Sequence, residues 1–354
     1  MKIYFLFLIF IFIVNNYIFA QNVEIKTFYY NNNIKESFYI NSKDSIRNGK
    51  YTLYNIDGTI NQTGQYLNGE IDGVWNIFNS SNNLKAIISY KNNKKNGEFT
   101  FFFDNGNVQQ KGNYLNDKLD GRIFEFNQNS DTLRFADYKD GILNGIFVEF
   151  LKNNIRSELY SFVNGEINGK YIKYYNNGDK NIIGKKYHNM FIDTIKYYYD
   201  NGNIKAVSYF NNGKREGKSI TYFQNGEIKN ISNYINNVRQ NEYFAYYSNG
   251  KIAEQGYFKD SKRSGKWTSF YPDGISVYTT GNYENGKISG LWCVYYENGK
   301  LKRTAIFKDG CEFGNSTNYF EDNKKLFGNY IDGYKKGLWI LSDKENNIIE
   351  YEEF

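Results

Sequence analysis

The sequence of 354 residues is poor in the side chains that most often build catalytic and metal sites. It has one histidine, His188, and two cysteines, Cys293 and Cys311. A zinc site takes several such ligands, so a lone histidine argues against one, and we expect His188 to be a solvated turn residue. Two cysteines exclude a disulfide framework. Their places in a regular hairpin would put them about 20 Å apart, so we predict free thiols.

The spacing of the other residues indicates no further chemistry. No glycine-rich phosphate loop leads into a helix, because no stretch shows the 3.6-residue apolar rhythm of one. Acidic residues are scattered, and the Asp-Asn-Gly-Asn segments at 104–107 and 200–203 lack the later glutamate of a calcium loop. We predict no catalytic residues, no cofactor, no metal site and no enzyme activity. A hydrolase with dispersed acids is the alternative.

Long apolar runs are absent after the N-terminus. There, Lys2 precedes an apolar run from Ile3 to Val14, and a small residue, Ala20, follows. The run is too short for a spanning helix, which needs about 20 apolar residues. Its positive start and small-residue end are typical of a secretory signal peptide. We predict a signal peptide over residues 1–20, no integral membrane span after its cleavage, and a secreted or periplasmic, cell-envelope location. An uncleaved anchor is the alternative.

The sequence is rich in aromatic residues, at 19%, and has 32 glycines, many of which recur at a fixed interval. The interval is 24 residues, and the last steps are 25, 24 and 23. The opening positions are Ile25, Gly49, Gly73, Gly97, Gly121, Gly145, Gly169, Asp193, Gly217, Asn241, Gly265, Gly290, Gly314 and Gly337. A period in this range is the signature of a repeat array, in which each module stacks on its neighbours.

Each repeat predicts one β-hairpin. Counted from the opening residue as position 0, repeats carry an aromatic at +2, an aromatic pair at +5 and +6, and an aromatic at +17. Asn-Gly or Asp-Gly at +8 and +9 is a strong two-residue hairpin signal, because both residues tolerate positive φ. A second, looser turn leads to the next repeat, and we expect the recurring glycines to lie in turns. Local irregularity is expected where Asp193 or Asn241 opens a repeat, and in the turns at 80–83 and 127–130, which lack glycine.

Two positions of the repeat differ strongly in side-chain size. All four tryptophans lie at +2, and glycine recurs at +15, as at Gly64 and Gly256. Two explanations stay open. A missing side chain would let a neighbouring ring lie flat across the strand, or the glycine would mark a bulge or a twist point.

The sequence therefore predicts an all-β fold. We expect an elongated antiparallel β-hairpin repeat array of 24-residue units, arranged as a twisted or curved single-sheet meander. The array extends over residues 21–354. Its last repeat, 337–354, ends in acidic residues and is predicted to be a degenerate cap that resists edge-to-edge pairing.

The net charge of +6 is small for a chain of this length. Basic pairs at the second turn occur in only some repeats, namely at 94–95, 214–215, 262–263 and 335–336. They form no continuous stripe, so we expect no nucleic-acid partner. We interpret the pairs as a solvated loop edge.

The pattern Gly-x-Trp-x-x-Tyr-Tyr-x-Asn-Gly-Lys-Leu resembles the bacterial variant of the MORN repeat. The best matches are 193–213, 217–234, 265–286 and 290–310, and the resemblance extends over residues 25–354. It implies an elongated hairpin array without catalytic residues that acts as a protein-binding or membrane-associating scaffold. Some members of the family are labelled antitoxins. That role fits awkwardly with an export signal, because an exported protein would not meet a cytoplasmic toxin.

Rings at +5 and +6 point to opposite faces by strand alternation, so one ring of each pair can face outward. The candidate partner-binding residues are Tyr174, Tyr198, Tyr222, Tyr246, Phe270 and Tyr295. Tyrosine offers a large amphipathic contact area at low entropic cost. We predict an exported scaffold that binds a protein through its sheet surface. The alternatives are a module that binds carbohydrate or cell-envelope glycan, and an antitoxin-like neutraliser of a secreted toxin. Packing of both rings within the thin sheet is the structural alternative.

Overall fold

The computed structural model describes residues 21–152 and 155–354. The signal peptide predicted over residues 1–20 lies outside them. Within the described ranges the chain has no α-helix, and its 29 β-strands pair in antiparallel direction within two units. The contacts divide the chain into an N-terminal unit that ends at Ile142 and a C-terminal unit that starts at Leu143.

The N-terminal unit contains the first strands of the sheet. They are β1 (Asn22–Phe28), β2 (Ile34–Asn41), β3 (Arg47–Tyr54), β4 (Ile60–Leu67), β5 (Glu70–Phe78), β6 (Leu84–Lys91), β7 (Lys94–Phe102), β8 (Val108–Leu115), β9 (Lys118–Leu119), β10 (Gly121–Phe126) and β11 (Thr132–Lys139). Consecutive strands pair in antiparallel fashion. Asp120 interrupts one strand, so β9 and β10 both pair with β8.

The C-terminal unit continues the same pattern from β12, which begins at the boundary. Its strands are β12 (Ile142–Phe150), β13 (Arg156–Val163), β14 (Glu166–Tyr174), β15 (Lys180–Tyr187), β16 (Met190–Tyr198), β17 (Ile204–Asn211), β18 (Lys214–Tyr222), β19 (Ile228–Ile235), β20 (Val238–Tyr246), β21 (Ile252–Lys259), β22 (Lys262–Phe270), β23 (Val277–Glu284), β24 (Lys287–Tyr295), β25 (Leu301–Lys308), β26 (Cys311–Tyr319), β27 (Lys325–Ile331), β28 (Tyr334–Ser342) and β29 (Ile348–Glu353). Each strand pairs with the next in antiparallel direction, and the last repeat still forms a hairpin. The predicted all-β hairpin meander is confirmed.

The opening residue of a repeat lies inside a strand, not in a turn as we expected. Gly73 has a φ of 70° within β5, where the ladder to β4 bulges. This left-handed conformation favours glycine, but asparagine and aspartate also tolerate it. Asp193 at 67° and Asn241 at 64° adopt it too. The local irregularity expected of their two repeats is therefore wrong.

The tight two-residue turn of a repeat is the second turn, not the first as the sequence indicated. In the first turn only the second residue has positive φ, such as Gly106 at 85°, so Asn-Gly does not form a two-residue type I′ turn. Its asparagine instead accepts a hydrogen bond, as Asn105 Oδ1 does from the Asn107 N–H at 3.0 Å. The second turn has positive φ at both residues, 51° at Asn92 and 65° at Asn93. That is the tight two-residue hairpin.

First turns without glycine keep the same geometry. Asn82 and Ser130 take the place of the glycine and adopt φ of 61° and 68°. Their N–H groups donate to the carbonyls of Asn79 and Asn127, three positions earlier, both at 3.0 Å. The irregularity expected of these two turns is wrong, because the backbone requires a residue that tolerates positive φ and not glycine alone.

The first repeat opens at Val23, not at Ile25 as the backward count predicted. Ile25 pairs with Phe38 as +2 pairs with +15 elsewhere. Tyr29 occupies +6, because its hydroxyl donates to the Tyr54 carbonyl as other +6 hydroxyls do. The turn between β2 and β3 is longer than the two-residue second turns that follow, and this insertion breaks the count.

Strand alternation places +2, +4, +13, +15 and +17 on one face of the sheet, and +1, +3, +5, +14 and +16 on the other. We name the first the tryptophan face and the second the tyrosine face. Much of the core lies on the tryptophan face at +2, where Phe99, Ile195, Trp267 and Trp339 are each at most 2% exposed. Burial of these apolar side chains holds adjacent hairpins together.

One residue of each basic pair, two positions before an opening glycine, is not a solvated loop residue, so that interpretation is wrong for it. Lys95, Arg215, Arg263 and Lys335 lie in strands, over aromatic rings of the tryptophan face. The guanidinium carbon of Arg263, for example, is 4.0 Å from the ring centroid of Trp267. Such cation–π contacts stabilise by about 0.5–1 kcal/mol at exposed sites.

Both cysteines are free thiols, as predicted. Cys293 lies in β24 and pairs with Thr304 of β25, whereas Cys311 begins β26. A whole strand therefore separates them, and adjacent strands are about 4.8 Å apart.

Candidate functional site

The six candidate partner-binding residues form a row on the tyrosine face of the C-terminal unit, which we name the tyrosine row. Each is at +5, the last residue of its strand, and each is half-buried. They are Tyr174 (β14), Tyr198 (β16), Tyr222 (β18), Tyr246 (β20), Phe270 (β22) and Tyr295 (β24). Contacts of +5 rings identify the face. Phe126 at +5 stacks on Phe124 at +3 with ring centroids 6.3 Å apart, and the thiol of Cys293 at +3 contacts the hydroxyl of Tyr295.

The neighbouring ring of each pair, at +6, is committed to the sheet. Where this residue is tyrosine, its hydroxyl donates a hydrogen bond to the +5 carbonyl of the next repeat; Phe223, beside Tyr222, has no hydroxyl. The pairs in the C-terminal unit are Tyr175 to Tyr198, Tyr199 to Tyr222, Tyr247 to Phe270, Tyr271 to Tyr295 and Tyr296 to Tyr319, at 2.7–2.8 Å. The Lys205 ammonium also lies 5.6 Å from the ring centroid of Tyr199. These +6 tyrosines connect successive repeats.

The +5 hydroxyls are not used in this way. In the part of the chain that the structure describes, the hydroxyls of Tyr174, Tyr198, Tyr222 and Tyr246 have no hydrogen-bond partner in the protein, and none is a buried unsatisfied group. Tyr295 differs, because burial and the adjacent Cys293 raise its pKa. The +5 position thus presents an amphipathic ring with an available hydroxyl. Whether a partner uses it stays a prediction.

A row of branched apolar side chains at +3 and +14 runs beside the tyrosine row. We name it the apolar row. Val207 pairs with Ile220, and Ile220 with Ile231, across β17 to β19. Ile172 and Ile183 pair in the same way across β14 and β15. Sequence reasoning missed this row, although +14 is aliphatic in consecutive repeats, at Leu159, Ile183, Val207 and Ile231.

Positive charge lies beside and within the two rows, since Lys196 occupies +3 between Ile172 and Ile220. Lys170, Lys196 and Lys218 lie on the tyrosine face, and each is exposed. Lys185 is the exception that is neutralised, because its Nζ is 3.0 Å from the Asp193 carboxylate. The surface therefore combines aromatic and apolar side chains, which suit the core of a protein interface, with ammonium groups, which suit its polar rim.

The strongest electrostatic perturbations lie on the tryptophan face, around Glu158. Its carboxylate accepts hydrogen bonds from the hydroxyls of Tyr160 and Tyr171 and lies 3.3 Å from Lys173 Nζ. Burial and the charge of Glu158 raise the pKa of Tyr171 to about 12. Burial lowers the pKa of Lys186, whose ammonium is 4.1 Å from the Tyr171 ring centroid. These groups are paired with one another, so the cluster stabilises the sheet.

His188 lies in the second turn after β15, as predicted. Its Nδ1 is 3.1 Å from the Glu166 carboxylate, and its ring packs edge-on against Tyr187. Among residues 21–152 and 155–354, no three His, Cys, Asp or Glu side chains are grouped so that they could hold a metal ion. The same residues contain no helix with the length and apolarity to cross a bilayer.

Comparison with known proteins identifies the repeat. Five segments match a family model described as MORN repeat variant, namely residues 95–116, 194–213, 215–236, 239–260 and 288–309. Each match includes both strands of one hairpin, wholly or in large part. The matches cover less than half of the chain, and they show that the array contains MORN-variant repeats.

No curated protein matches the chain. Two solved structures, described as crystal structures of TcdB2-TccC3 and of TcdB2-TccC3-TEV, are similar to it at 8% and 9% sequence identity, each with a TM-score of 0.18. Each match covers 95% of this chain but only 23% of the other. This chain thus spans about a quarter of those proteins, and so distant a likeness carries no functional argument.

Proposed function

We propose that this array of MORN-variant repeats is a non-catalytic scaffold that binds another protein across the tyrosine face of its C-terminal unit. The contact surface is the tyrosine row together with the apolar row, from β14 to β20. The observation that carries the proposal is the different use of two adjacent rings. Tyr199 donates its hydroxyl to the Tyr222 carbonyl, whereas the Tyr198 hydroxyl has no partner among the described residues.

Half-buried tyrosines are well suited to such a contact. The sheet already restricts their rings, so little side-chain entropy is lost on binding, and each hydroxyl adds a directional hydrogen bond. Consecutive +5 rings are two strands apart, or about 9.6 Å. Anchors at that spacing favour a partner that lies along several repeats, as is usual for repeat proteins.

The lysines beside the rows indicate the charge of the partner. Lys170, Lys196 and Lys218 would be complemented by carboxylates placed next to apolar side chains. We therefore expect association to slow as ionic strength rises, because exposed charges steer encounter and salt screens them.

The test is affinity capture from the native culture with three forms of the chain, followed by mass spectrometry. One form is unmodified, and one combines Tyr198→Ala, Tyr222→Ala and Tyr246→Ala. The matched control combines Tyr30→Ala, Tyr187→Ala and Tyr334→Ala, which removes exposed tyrosines outside the row. We expect one protein to be recovered by the unmodified and control forms and lost, at least tenfold, from the row variant.

Circular dichroism must show that the row variant is folded. If it is not, the corresponding Tyr→Phe variant keeps the rings and removes only the hydroxyls. Equal recovery by all forms would overturn the proposal, and so would recovery of no protein by the unmodified chain.

We further propose that residues 1–20 direct export, so that the partner is met outside the cytoplasm. A lysine followed by a short apolar run and a small residue supports this. Intact-mass measurement of the protein made by its native cells should show loss of these 20 residues. A chain that retains them and stays in the cytoplasm would contradict export.

A further inference from the structure

Two shallow hollows on the tyrosine face occupy the same place in two repeats. One, of about 290 Å³, lies at Gly256 in the C-terminal unit, and the other, of about 340 Å³, lies at Gly112 in the N-terminal unit. Both glycines are at +15. A glutamate and a cation at successive +1 positions line each hollow, with a threonine and an aromatic ring at the +3 positions. The two hollows thus share the glycine and the types of side chain that line them.

The hollow at Gly256 coincides with a bulge. Gln255 pairs with Thr268 and Tyr257 with Ser264, so the ladder skips Gly256. A Cβ at Gly256 would point to the tryptophan face, where the ring of Trp267 takes its place. On the opposite face Gly256 presents only its backbone, and the hollow opens there.

Two rings and several polar groups converge on this hollow. Tyr257 is 52% exposed and directly faces Glu242, and Phe244 faces Gln255. The Glu242 carboxylate receives only a 3.4 Å contact from the Tyr257 hydroxyl. Among the described residues, the amide of Gln255 and the ammonium of Lys266 have no partner in the protein. Both are therefore available to a ligand.

The hollow at Gly112 is already occupied by its own side chains. The Lys111 ammonium lies 5.7 Å from the ring centroid of Phe124. Both Arg122 Nε and a terminal nitrogen donate to the Asp137 carboxylate, at 2.7 and 3.0 Å. The Phe124 ring and the Arg122 guanidinium already contact other side chains of the protein. This hollow is therefore an internal control for the one at Gly256.

We infer that the hollow at Gly256 binds a single pyranose residue of a glycan. A pyranose has an apolar C–H face that packs on the Tyr257 and Phe244 rings, and hydroxyls that both donate and accept. Those hydroxyls match an acceptor on Glu242, a donor on Lys266 and both kinds of atom on Gln255. Glu242 and Lys266 carry opposite charges, so the hollow has no net charge that favours an anion or a cation. An apolar ligand would leave all three polar side chains unpaired.

The size of the hollow limits the ligand to one ring. About 290 Å³ is at the lower end of small-molecule sites, and an open hollow of this kind gives weak affinity. We expect dissociation constants on the order of 1 mM for free sugars. This site uses none of the tyrosine row, so the inference does not rest on the proposed function.

The test is saturation-transfer-difference NMR and calorimetry on the full chain with methyl glycosides of glucose, galactose and N-acetylglucosamine as probes. At least one probe should bind, and Tyr257→Ala and Glu242→Gln should each weaken it at least fivefold. The matched control, Asn113→Ala, changes the residue equivalent to Tyr257 in the occupied hollow and should leave binding unchanged. Circular dichroism confirms that each variant is folded.

Several results would overturn the inference. They are no transfer to any glycoside, unchanged binding in Tyr257→Ala, equal loss in the control, or tighter binding of succinate or spermidine than of any sugar. Protein capture by Tyr257→Ala separates this site from the scaffold function. Capture that persists while sugar binding is lost shows two sites. Capture that disappears with sugar binding would mean that the hollow belongs to the protein contact.

Discussion

The indole of Trp267 lies flat against the backbone of Gly256 on the neighbouring strand. A Cβ built on Gly256 would overlap the indole atoms Cγ, Cδ2 and Cε2. The indole N–H donates to the Tyr257 carbonyl at 3.2 Å, and Trp267 is only 2% exposed. The ladder also bulges at this glycine. The ladder also shifts register beside +15 residues that carry a side chain, as between Ser208 and Tyr209. The explanation that holds for Gly256 is therefore the ring that lies against it.

The same match of bulky and bare positions recurs between repeats. Each tryptophan packs on a glycine of the preceding repeat, in the pairs Trp75 with Gly64, Trp267 with Gly256, Trp292 with Gly281, and Trp339 with Gly328. Where +15 carries a side chain, that residue stays paired with +2 of the next repeat, as Ser208 is with Ser219 and Ala305 is with Ser316. The two positions thus act as one packing site shared by adjacent repeats.

Gly256→Ala should lower the free energy of unfolding by about 1–3 kcal/mol, the usual cost of overpacking a filled core. The new methyl group would displace the Trp267 ring. Urea titration followed by circular dichroism measures the change. In a Trp267→Leu background the same substitution should cost less than about 1 kcal/mol, because the clash is gone. An equal cost in both backgrounds would show that the ring contact is not the reason for the glycine.

Removing one hydroxyl from each ring of an adjacent pair should have unequal effects. Tyr199→Phe deletes the hydrogen bond to the Tyr222 carbonyl, at 2.7 Å, and should cost about 0.5–1.5 kcal/mol. Tyr198→Phe removes a hydroxyl without a protein partner among the described residues and should change stability by less than about 0.5 kcal/mol. Thermal and urea unfolding compare the two variants. The reverse order would contradict the roles assigned to +5 and +6.

The opening position should accept glycine but not alanine. Asn241 has a φ of 64°, a conformation that costs most L-residues about 1–2 kcal/mol. Asn241→Gly should keep the free energy of unfolding within about 0.5 kcal/mol, whereas Asn241→Ala should lower it by about 1 kcal/mol. Chemical denaturation of the three proteins is the measurement. Equal stability of the alanine and glycine variants would argue against a required left-handed backbone.

The two cysteines should remain reduced with respect to each other. Cys311 is exposed and Cys293 is half-buried, and β25 lies between their strands. Alkylation followed by intact-mass measurement should find two modified thiols, with Cys311 reacting first. If mild oxidation lowers the mass by two hydrogens and leaves no thiol to alkylate, the protein has an intramolecular disulfide. That result would require a different strand arrangement.

Stability should decline in alkaline solution because of buried tyrosines. Burial, with the nearby carboxylates of Glu36 and Glu158, raises the pKa of Tyr51 and of Tyr171 to about 12 each. An unfolded tyrosine has a pKa of about 10. The stabilisation is therefore complete below pH 10 and is lost as pH rises toward 12, where the unfolded chain releases its protons first.

Urea midpoints at pH 8, 10 and 11 measure that decline. Tyr51→Phe and Tyr171→Phe should make it less steep, each by at most about 1.4 kcal/mol per pH unit, since one proton is removed from the linkage. The Tyr198→Phe variant is the matched control and should keep the full decline. If the wild-type and the two phenylalanine variants share one slope, these phenols do not control the alkaline transition.

Part of the candidate site could be predicted from the sequence. The spacing of the aromatic pairs placed Tyr198 and Tyr199 next to each other at a strand end, since that depends only on local alternation. The spacing did not predict which of the two hydroxyls forms a hydrogen bond within the sheet. That depends on the distance from the Tyr199 ring to a carbonyl of the next repeat, 23 residues away. The apolar row and the hollow at Gly256 likewise arise between strands.

The sequence by itself determined the period, the two strands of each repeat and the positions of the turns. Apolar alternation and residues that tolerate positive φ act over a few neighbouring residues, so they can be recognised without coordinates. Only the tertiary structure decided which turn is the tight one, that Gly73 lies inside a strand, and that the ring of Trp267 covers Gly256. Those features depend on the register between neighbouring strands, which is set by packing across repeats and not by any one residue.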